Sequence, residues 1–291
     1  QILMGTKIEG LPVEKVVDGD TIKVNLNGKT EGLRLICVDT EESYAGSKPV
    51  TKAGKMASEM AKIFFEIGGS VTIEFDTDDP VDVCLKRHRG NFGRLLCYAH
   101  KGSINYNLKL IEEGWSPYFV KYGKSRQYHN EFTRGEAIAQ ANERIIWDPA
   151  TNAGGNSRDY NSLLPWWHYR ALVIDDYRRS AGQVLSIRLD YEQIKEAAEQ
   201  EDEITVFTDF QGGISRDIGD KALIFSGSIH HKFTLVIDDI QSDVGQDVVR
   251  LVLNRYSGKG KGYAFVKGRA SLYGDTPQIV IRSINQIFDI L

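Results

Sequence analysis

Three short segments concentrate the side chains able to do chemistry. Asp18-Gly19-Asp20-Thr21 sets two carboxylates around a glycine, Arg34 is followed five residues later by Asp39-Thr40-Glu41-Glu42, and Phe92-Gly93-Arg94 carries a second arginine after a turn. Carboxylate and carbonyl oxygens are the ligands that hard divalent cations take. A guanidinium meets two phosphate or carboxylate oxygens at once and keeps its proton. Each segment alone also has an ordinary reading: Asp18 to Thr21 as a turn, Arg34 as a surface charge, Glu41-Glu42 as a solvated loop, Arg94 as half of an ion pair. Periodicity does not gather them, because residues five apart on a straight strand face opposite ways. Only a bend or strand end near Val38 brings Arg34 and Asp39 together.

Other residues bear charge or soft ligands. Lys86-Arg87-His88-Arg89 is either a contact for a nucleic-acid backbone or a solvated basic tip. Cys84-x3-His88 with Cys97-x2-His100 has zinc-like spacing, but Cys97 and His100 lie three apart on an expected strand and would diverge. A hairpin turning at Gly90-Asn91 would set Cys84 opposite Cys97, which leaves an oxidised pair as an alternative. Cys37, within Leu35-Ile36-Cys37-Val38, reads as a small buried hydrophobe.

The elements that must position these groups are legible from pattern. Strands are expected at Val13 to Val17, Thr21 to Leu26 and Leu33 to Val38, with Asn27-Gly28 as a hairpin turn. Met56, Met60, Phe64 and Ile67 recur at helical spacing, which predicts a helix from Thr51 to Ile67 closed by Gly68-Gly69. Val71 to Phe75 and Leu95 to Ala99 are two more strands, separated by the long polar stretch from Asp76 to Arg94. Ile104 to Glu113 and Tyr128 to Ile146 are two more helices. This order of elements fits a small barrel with flanking helices.

In that order and at these spacings, Asp18-Gly19-Asp20-Thr21, Arg34 with Val38-Asp39-Thr40-Glu41-Glu42, and Phe92-Gly93-Arg94 resemble the motifs of the staphylococcal nuclease family. The resemblance continues through Gly114 to Trp147 and covers about half of the chain. It implies a calcium-dependent endonuclease of low sequence specificity, acting on DNA or RNA. Carried over residue by residue, it makes Asp20, Asp39 and the Thr40 carbonyl the calcium ligands. Glu42 becomes the residue that takes a proton from, or orients, the attacking water, and Arg34 and Arg94 the pair that grips the phosphate. Asn91, Phe92 and Tyr122 stand where the family contacts the nucleotide. The pattern also departs from the family: Glu41 replaces a proline, Asn91 and Phe92 replace a lysine and a tyrosine, and Val120 replaces a tyrosine. These changes leave the chemistry in place and put substrate preference in question. The competing reading is a non-catalytic module for nucleic acid or protein built on the same fold.

The remainder reads as a second unit. Asn152 to Ser157 is the most loop-like stretch, Pro165-Trp166-Trp167 is expected to open a helix, and Tyr191 to Gln200 is a second helix. Strands are expected at Ile204 to Phe207, Ala222 to Ile229, Phe233 to Ile237, Val248 to Leu253, Tyr263 to Ala270 and Gln278 to Ile281. Tyr263 to Tyr273, followed by Pro277 to Ile281, resembles strands of small OB-fold domains. That resemblance implies single-strand binding on Phe207, Phe210, Tyr256 and Tyr273 with Lys259, Lys261, Lys267 and Arg269, or docking of a protein partner. The expected fold class is α+β, mainly β. A five-stranded OB-type barrel with three helices spans 9–148, a linker 149–164, and helices with a second OB-like barrel 165–291.

Composition bounds the rest. The 291 residues are 41% hydrophobic and 26% charged with a net charge of -4, the profile of a globular chain. Up to residue 148 there are 20 Lys+Arg against 21 Asp+Glu, and after it 16 against 19. Phosphate binding must therefore come from local clusters, and a protein coating nucleic acid with basic surface is disfavoured. No apolar run reaches 18 residues, so no membrane span is expected. Gln1 to Gly10 lacks the pattern of a signal peptide. An extracellular or periplasmic location is expected if a leader has been removed.

Overall fold

Along Thr21–Leu26 the buried side chains alternate with exposed ones, Ile22 and Val24 facing in and Lys23 out, as a strand with one packed face requires. The same logic builds a closed barrel. Strands β1 (Lys7–Asp18), β2 (Thr21–Leu26), β3 (Lys29–Leu35), β4 (Ser70–Glu74), β5 (Leu95–Lys101) and β6 (Ile104–Asn105) form one sheet in the order β3-β2-β1-β4-β5-β6. A parallel β3–β5 pairing, Leu33 beside Leu95 and Leu35 beside Cys97, closes the five-stranded barrel. Ile22, Leu33, Ile73, Leu95 and Cys97 are wholly buried within it. The computed structural model describes residues 4–151, 158–210, 213–257 and 262–289.

Four helices flank this barrel: α1 (Lys52–Phe65), α2 (Val81–Arg87), α3 (Tyr106–Glu112) and α4 (His129–Ala141). Thr51 caps α1 by accepting the Gly54 N–H, and Asn105 caps α3 by accepting the Leu108 N–H, each satisfying a donor left open by the first turn. Helix α2 was not expected. It lies in the long polar stretch after β4, too short to show a period and opened by Pro80 without a side-chain cap. His88 Nε2 faces Asp79 and Arg89 forks onto Glu31, so the basic run is engaged with its own unit.

The three cysteines are free and buried. No Cys84–Cys97 disulfide forms, and His100 turns to Glu74, so the zinc-like spacing does not converge either. Burial pushes the Cys84 thiol up to about 11, which keeps it protonated and unreactive.

The chain divides into two compact units, Gln1–His168 and Tyr169–Leu291. The division falls within α5 (Tyr160–Arg179). This helix begins five residues before Pro165, where the sequence reading opened it. Asp159 caps the Ser162 N–H and hydroxyl, and Pro165 sits in the second turn, where it removes one hydrogen bond. Asn152 to Ser157 lies outside the described residues.

The second unit is a β-sheet domain. Its elements are β7 (Leu185–Ser186), α6 (Tyr191–Glu199), β8 (Glu203–Asp209), β9 (Ile214–Ile218), β10 (Lys221–Gly227), β11 (Lys232–Ile237), α7 (Asp243–Leu251), β12 (Tyr263–Tyr273), β13 (Thr276–Val280) and β14 (Ile287–Phe288). The sheet runs β7-β8-β12-β13-β11-β10-β9, with β14 on β12. The stretch Val248 to Leu253, expected as a strand, is the end of α7 and the turn after it. Ser242 accepts the Gly245 N–H to start the helix, and Val248 and Val252, four apart, are both buried. The cap and that spacing override the strand preference of a valine-rich run.

The expected single-strand platform does not form as drawn. Phe207, Phe210 and Tyr256 are core residues, Phe210 wholly buried against Tyr256. Lys267 pairs with Glu203 and Arg269 donates to the Glu201 carbonyl. Of the four aromatics only Tyr273, 80% exposed, presents its face, while Lys259 and Lys261 lie outside the described residues.

Candidate active site

The site is built where β3 stops. Leu35 is the last strand residue, and Cys37 then takes a left-handed backbone with φ 62°, a conformation that costs a non-glycine residue of order 1 kcal/mol. Surrounding bonds hold it. Ile36 donates to the Cys97 carbonyl, Phe119 to the Cys37 carbonyl, and the Asp39 N–H to Ser116 Oγ at 2.8 Å. This is the bend that alternation alone could not supply. It turns Asp39 back beneath Arg34.

Arg34 spends its guanidinium on that bend. Nη1 donates to the Leu35 and Val38 carbonyls at 3.0 and 3.2 Å and lies 3.2 Å from Asp20 Oδ2, while Nη2 donates to Asp39 Oδ1 at 2.9 Å. One guanidinium therefore spans both expected ligand carboxylates. Burial would lower the Arg34 pKa, but Asp20 and Asp39 outweigh it and raise it above the ordinary arginine value.

Asp20 is set by the turn before it. Its Oδ2 accepts the Thr40 N–H at 2.9 Å and its Oδ1 the Thr21 hydroxyl at 2.9 Å. Gly19 makes the approach possible: a Cβ there would meet Thr40 Oγ1 at 2.9 Å and the Ala57 methyl at 3.0 Å. Thr21 in turn lies 3.5 Å from Arg94 Nη1. A polar chain thus runs from Arg94 through Thr21, Asp20 and Arg34 to Asp39. Arg94 has no salt bridge among the described residues, and its guanidinium lies 5.8 Å from the exposed Phe92 ring. Burial and the nearby Arg34 charge hold its pKa below the usual arginine range. Arg94 therefore carries a positive charge with no ion-paired carboxylate among the described residues.

Glu42 is aimed by a close backbone approach. Its carbonyl accepts the Thr51 N–H, and a Cβ on Gly54 of α1 would come within 2.0 Å of that carbonyl oxygen. Two further cations, which sequence reasoning missed, enter the same place. Lys48 Nζ lies 3.3 Å from Asp39 Oδ2 and 3.6 Å from Glu42 Oε1. Arg158 Nη1 lies 2.6 Å from Asp39 Oδ2, and its Nη2 donates to the Thr40 carbonyl at 3.1 Å. Burial would raise the Asp39 carboxyl, but Arg158, Arg34 and Lys48 together hold it below the ordinary range.

Glu41, the residue that departs from the family's proline, is almost wholly buried, and its Oε2 accepts the Tyr160 hydroxyl at 2.9 Å. A buried carboxylate needs a donor, but the sequence reading took Glu41-Glu42 as a solvated loop and so pointed to no partner beyond residue 148.

The remaining expected contacts sit at the rim. Phe92 is 78% exposed and Asn91 is exposed beside it, while Tyr122, half exposed, packs edge-on against Phe119 and lies near enough to Arg34 to act on its charge. Val120 is wholly buried, so it faces the core.

The donor set suits a hard cation. Asp39 Oδ2, the Asp39 carbonyl and the Thr40 carbonyl all converge on one cationic group, Arg158, and Asp20 stands across Arg34 from them. All these donors are oxygens, as calcium takes. Among the described residues no three His, Cys, Asp or Glu side chains form a metal-binding group. The set here is two carboxylates and a main-chain carbonyl.

Comparison with known proteins places the first part of the chain among nucleases. Residues 32–149 match the family model described as Staphylococcal nuclease homologue. The chain is 30% identical over 153 residues to Endonuclease YncB of Bacillus subtilis, covering 52% of this chain and 68% of that protein. It is 33% identical over 135 residues to the Thermonuclease of Staphylococcus hyicus, covering 46% of this chain and 73% of that protein. It is 30% identical over 152 residues to SPbeta prophage-derived endonuclease YokF of Bacillus subtilis, covering 52% of this chain and 48% of that protein.

Proposed function

Because the chain belongs to the staphylococcal nuclease homologue family, we propose that it is an endonuclease that hydrolyses phosphodiester bonds of DNA or RNA, single strands favoured, with calcium as its metal. The observation that carries this reading is the gathering of Asp20, Arg34, Asp39, Glu42 and Arg94 into one polar cluster by a bend, a glycine turn and a barrel strand. A non-catalytic module has no need of a buried acid set facing an unneutralised arginine.

In this reading Asp20, Asp39 and the Thr40 carbonyl hold the calcium. When bound, it supplies Lewis-acid charge beside the phosphate and a position for water. Arg94 meets the phosphate oxygens directly. Arg34, whose Nη atoms are engaged by Asp20, Asp39 and two carbonyls, orients those carboxylates, and with Arg94 it makes up the guanidinium pair that would meet charge as it develops on the phosphate. Glu42, held at the end of its loop by Thr51 and Gly54, takes the proton of the attacking water. Phe92 and Tyr122, exposed on the rim, offer faces on which unpaired bases can stack, which favours single strands.

The test is digestion of single- and double-stranded DNA and RNA with calcium, with magnesium, and with excess chelator. Cleavage of single strands with calcium, lost on chelation, is the expected result. Cleavage that continues unchanged in chelator removes the metal from the reading.

A further inference from the structure

Arg158 lies beyond the stretch matched by the family model, yet it reaches the centre of the site. Its Nη1 donates to Asp39 Oδ2 at 2.6 Å and lies 3.3 Å from the Asp39 carbonyl, its Nη2 donates to the Thr40 carbonyl at 3.1 Å, and Nη2 stands 3.6 Å from Glu42 Oε1. These oxygens belong to two of the three residues that hold calcium in the reading above, and to the residue that takes the proton. We propose that Arg158 is a built-in cation that occupies the calcium position and must withdraw before the ion binds, so that the segment carrying it sets the metal affinity. This inference rests on the calcium reading.

Three observations separate the contact from a casual surface pair. The Arg158 side chain is only 14% exposed, so its charge is sheltered from the screening that weakens surface pairs. The segment is fastened on its far side: Tyr160, buried, donates to the buried Glu41 and packs its ring against Trp147, and Asp159 starts α5. Glu41 is itself the departure from the family's proline, so the departure is bonded to the residue two places beyond the plug. Finally, Asp39 keeps Arg34 and Lys48 when Arg158 leaves, so withdrawal does not strand a buried carboxylate.

A divalent ion and a guanidinium cannot share the same lone pairs at these distances, since like charges repel strongly in a sheltered site. Binding of one therefore expels the other, and the free energy of the Arg158 contacts is subtracted from calcium affinity.

The test is calcium titration by calorimetry on the full chain, with no nucleic acid present, comparing the parent with Arg158→Ala, Arg158→Lys and Tyr160→Phe. Arg158→Ala is expected to tighten calcium binding at least tenfold and to enlarge the rise in melting temperature that calcium produces. Arg158→Lys, which keeps the charge and loses the fork, falls between. Tyr160→Phe, which frees the anchor alone, tightens binding by a smaller factor, and it decides the matter if Arg158→Ala does not fold. Equal or weaker calcium affinity in a folded Arg158→Ala chain overturns the proposal and leaves the calcium reading standing. No calcium uptake by the parent or any variant overturns the calcium reading and this inference with it.

Discussion

Arg34 and Arg94 are two arginines with unequal duties. Arg94 contributes little to the fold, touching Thr21 at the limit of a hydrogen bond. Arg94→Ala is expected to lower turnover on single-stranded DNA by about a hundredfold, the usual loss for one transition-state charge contact, with a melting temperature near that of the parent. Near-full activity in that variant makes Phe92-Gly93-Arg94 a structural turn. Arg34 caps two carbonyls and joins two buried carboxylates, so its loss is expected to cost stability as well as rate. Removing one partner of such a set leaves buried charge uncompensated, at a cost of about 3 kcal/mol or more. Arg34→Ala should lose turnover and melt early, measured on the same samples. Glu42→Gln keeps the calcium titration of the parent and loses rate, since the proposed ligands are untouched; loss of calcium binding instead makes Glu42 a ligand.

At the scale of elements, the site depends on how closely α1 meets the loop before it. Gly54→Ala places a methyl where the Glu42 carbonyl stands, so helix or loop must move, at about 1 to 3 kcal/mol. The expected outcome is a lowered melting temperature together with a fall in turnover, because the displaced residue is Glu42; a variant with parental rate shows that the loop does not aim Glu42. A second element-level effect lies in α4. Burial pushes the Glu136 carboxyl up from 4.5 to about 7, only partly countered by the Tyr118 N–H it accepts. The folded chain holds this proton more tightly than the unfolded one. The favourable contribution is therefore complete below about pH 4.5 and lost as pH rises through about 7. Glu136→Gln keeps the acceptor and removes the charge, so it should match the parent at pH 4 and exceed it by about 2 to 3 kcal/mol at pH 8. Denaturant unfolding at the two pH values checks this, and parallel stabilities at both count against it.

For the whole molecule, net charge is -4 and neither unit is basic, so affinity for nucleic acid has to come from local clusters of charge. With two arginines meeting phosphate, the slope of log affinity on log salt for a single-stranded oligonucleotide should be about -1.4, from about -0.7 per contact. Glu42→Gln chain in calcium allows the measurement without cleavage. In the second unit only Tyr273 among the four candidate aromatics presents a face. Tyr273→Ala is therefore expected to leave that affinity within twofold of the parent, while Arg94→Ala weakens it and flattens the slope. A steep slope, or a large loss from Tyr273→Ala, places binding surface in the second unit.

Much of this was legible in the residues themselves. Asn27-Gly28, the alternation of Thr21 to Leu26 and the period of Met56, Met60 and Phe64 are local signals, and each element they predict is present. The motif residues Asp20, Arg34, Asp39, Glu42 and Arg94 could be named because their types and order match a family. What they could not reveal was the means of convergence. The turn at Cys37 is held by partners from β5 and from the stretch after α3, and no window around Cys37 contains them. Val248 to Leu253 misled because valine fits strand and helix alike until a cap and a packed face decide. Arg158 and Tyr160 were invisible for a deeper reason. Arg158 lies 119 residues beyond the Asp39 it neutralises, and Tyr160 as far beyond the Glu41 it contacts. An interaction of that sequence separation leaves no period, spacing or motif, since only folding brings its two ends together.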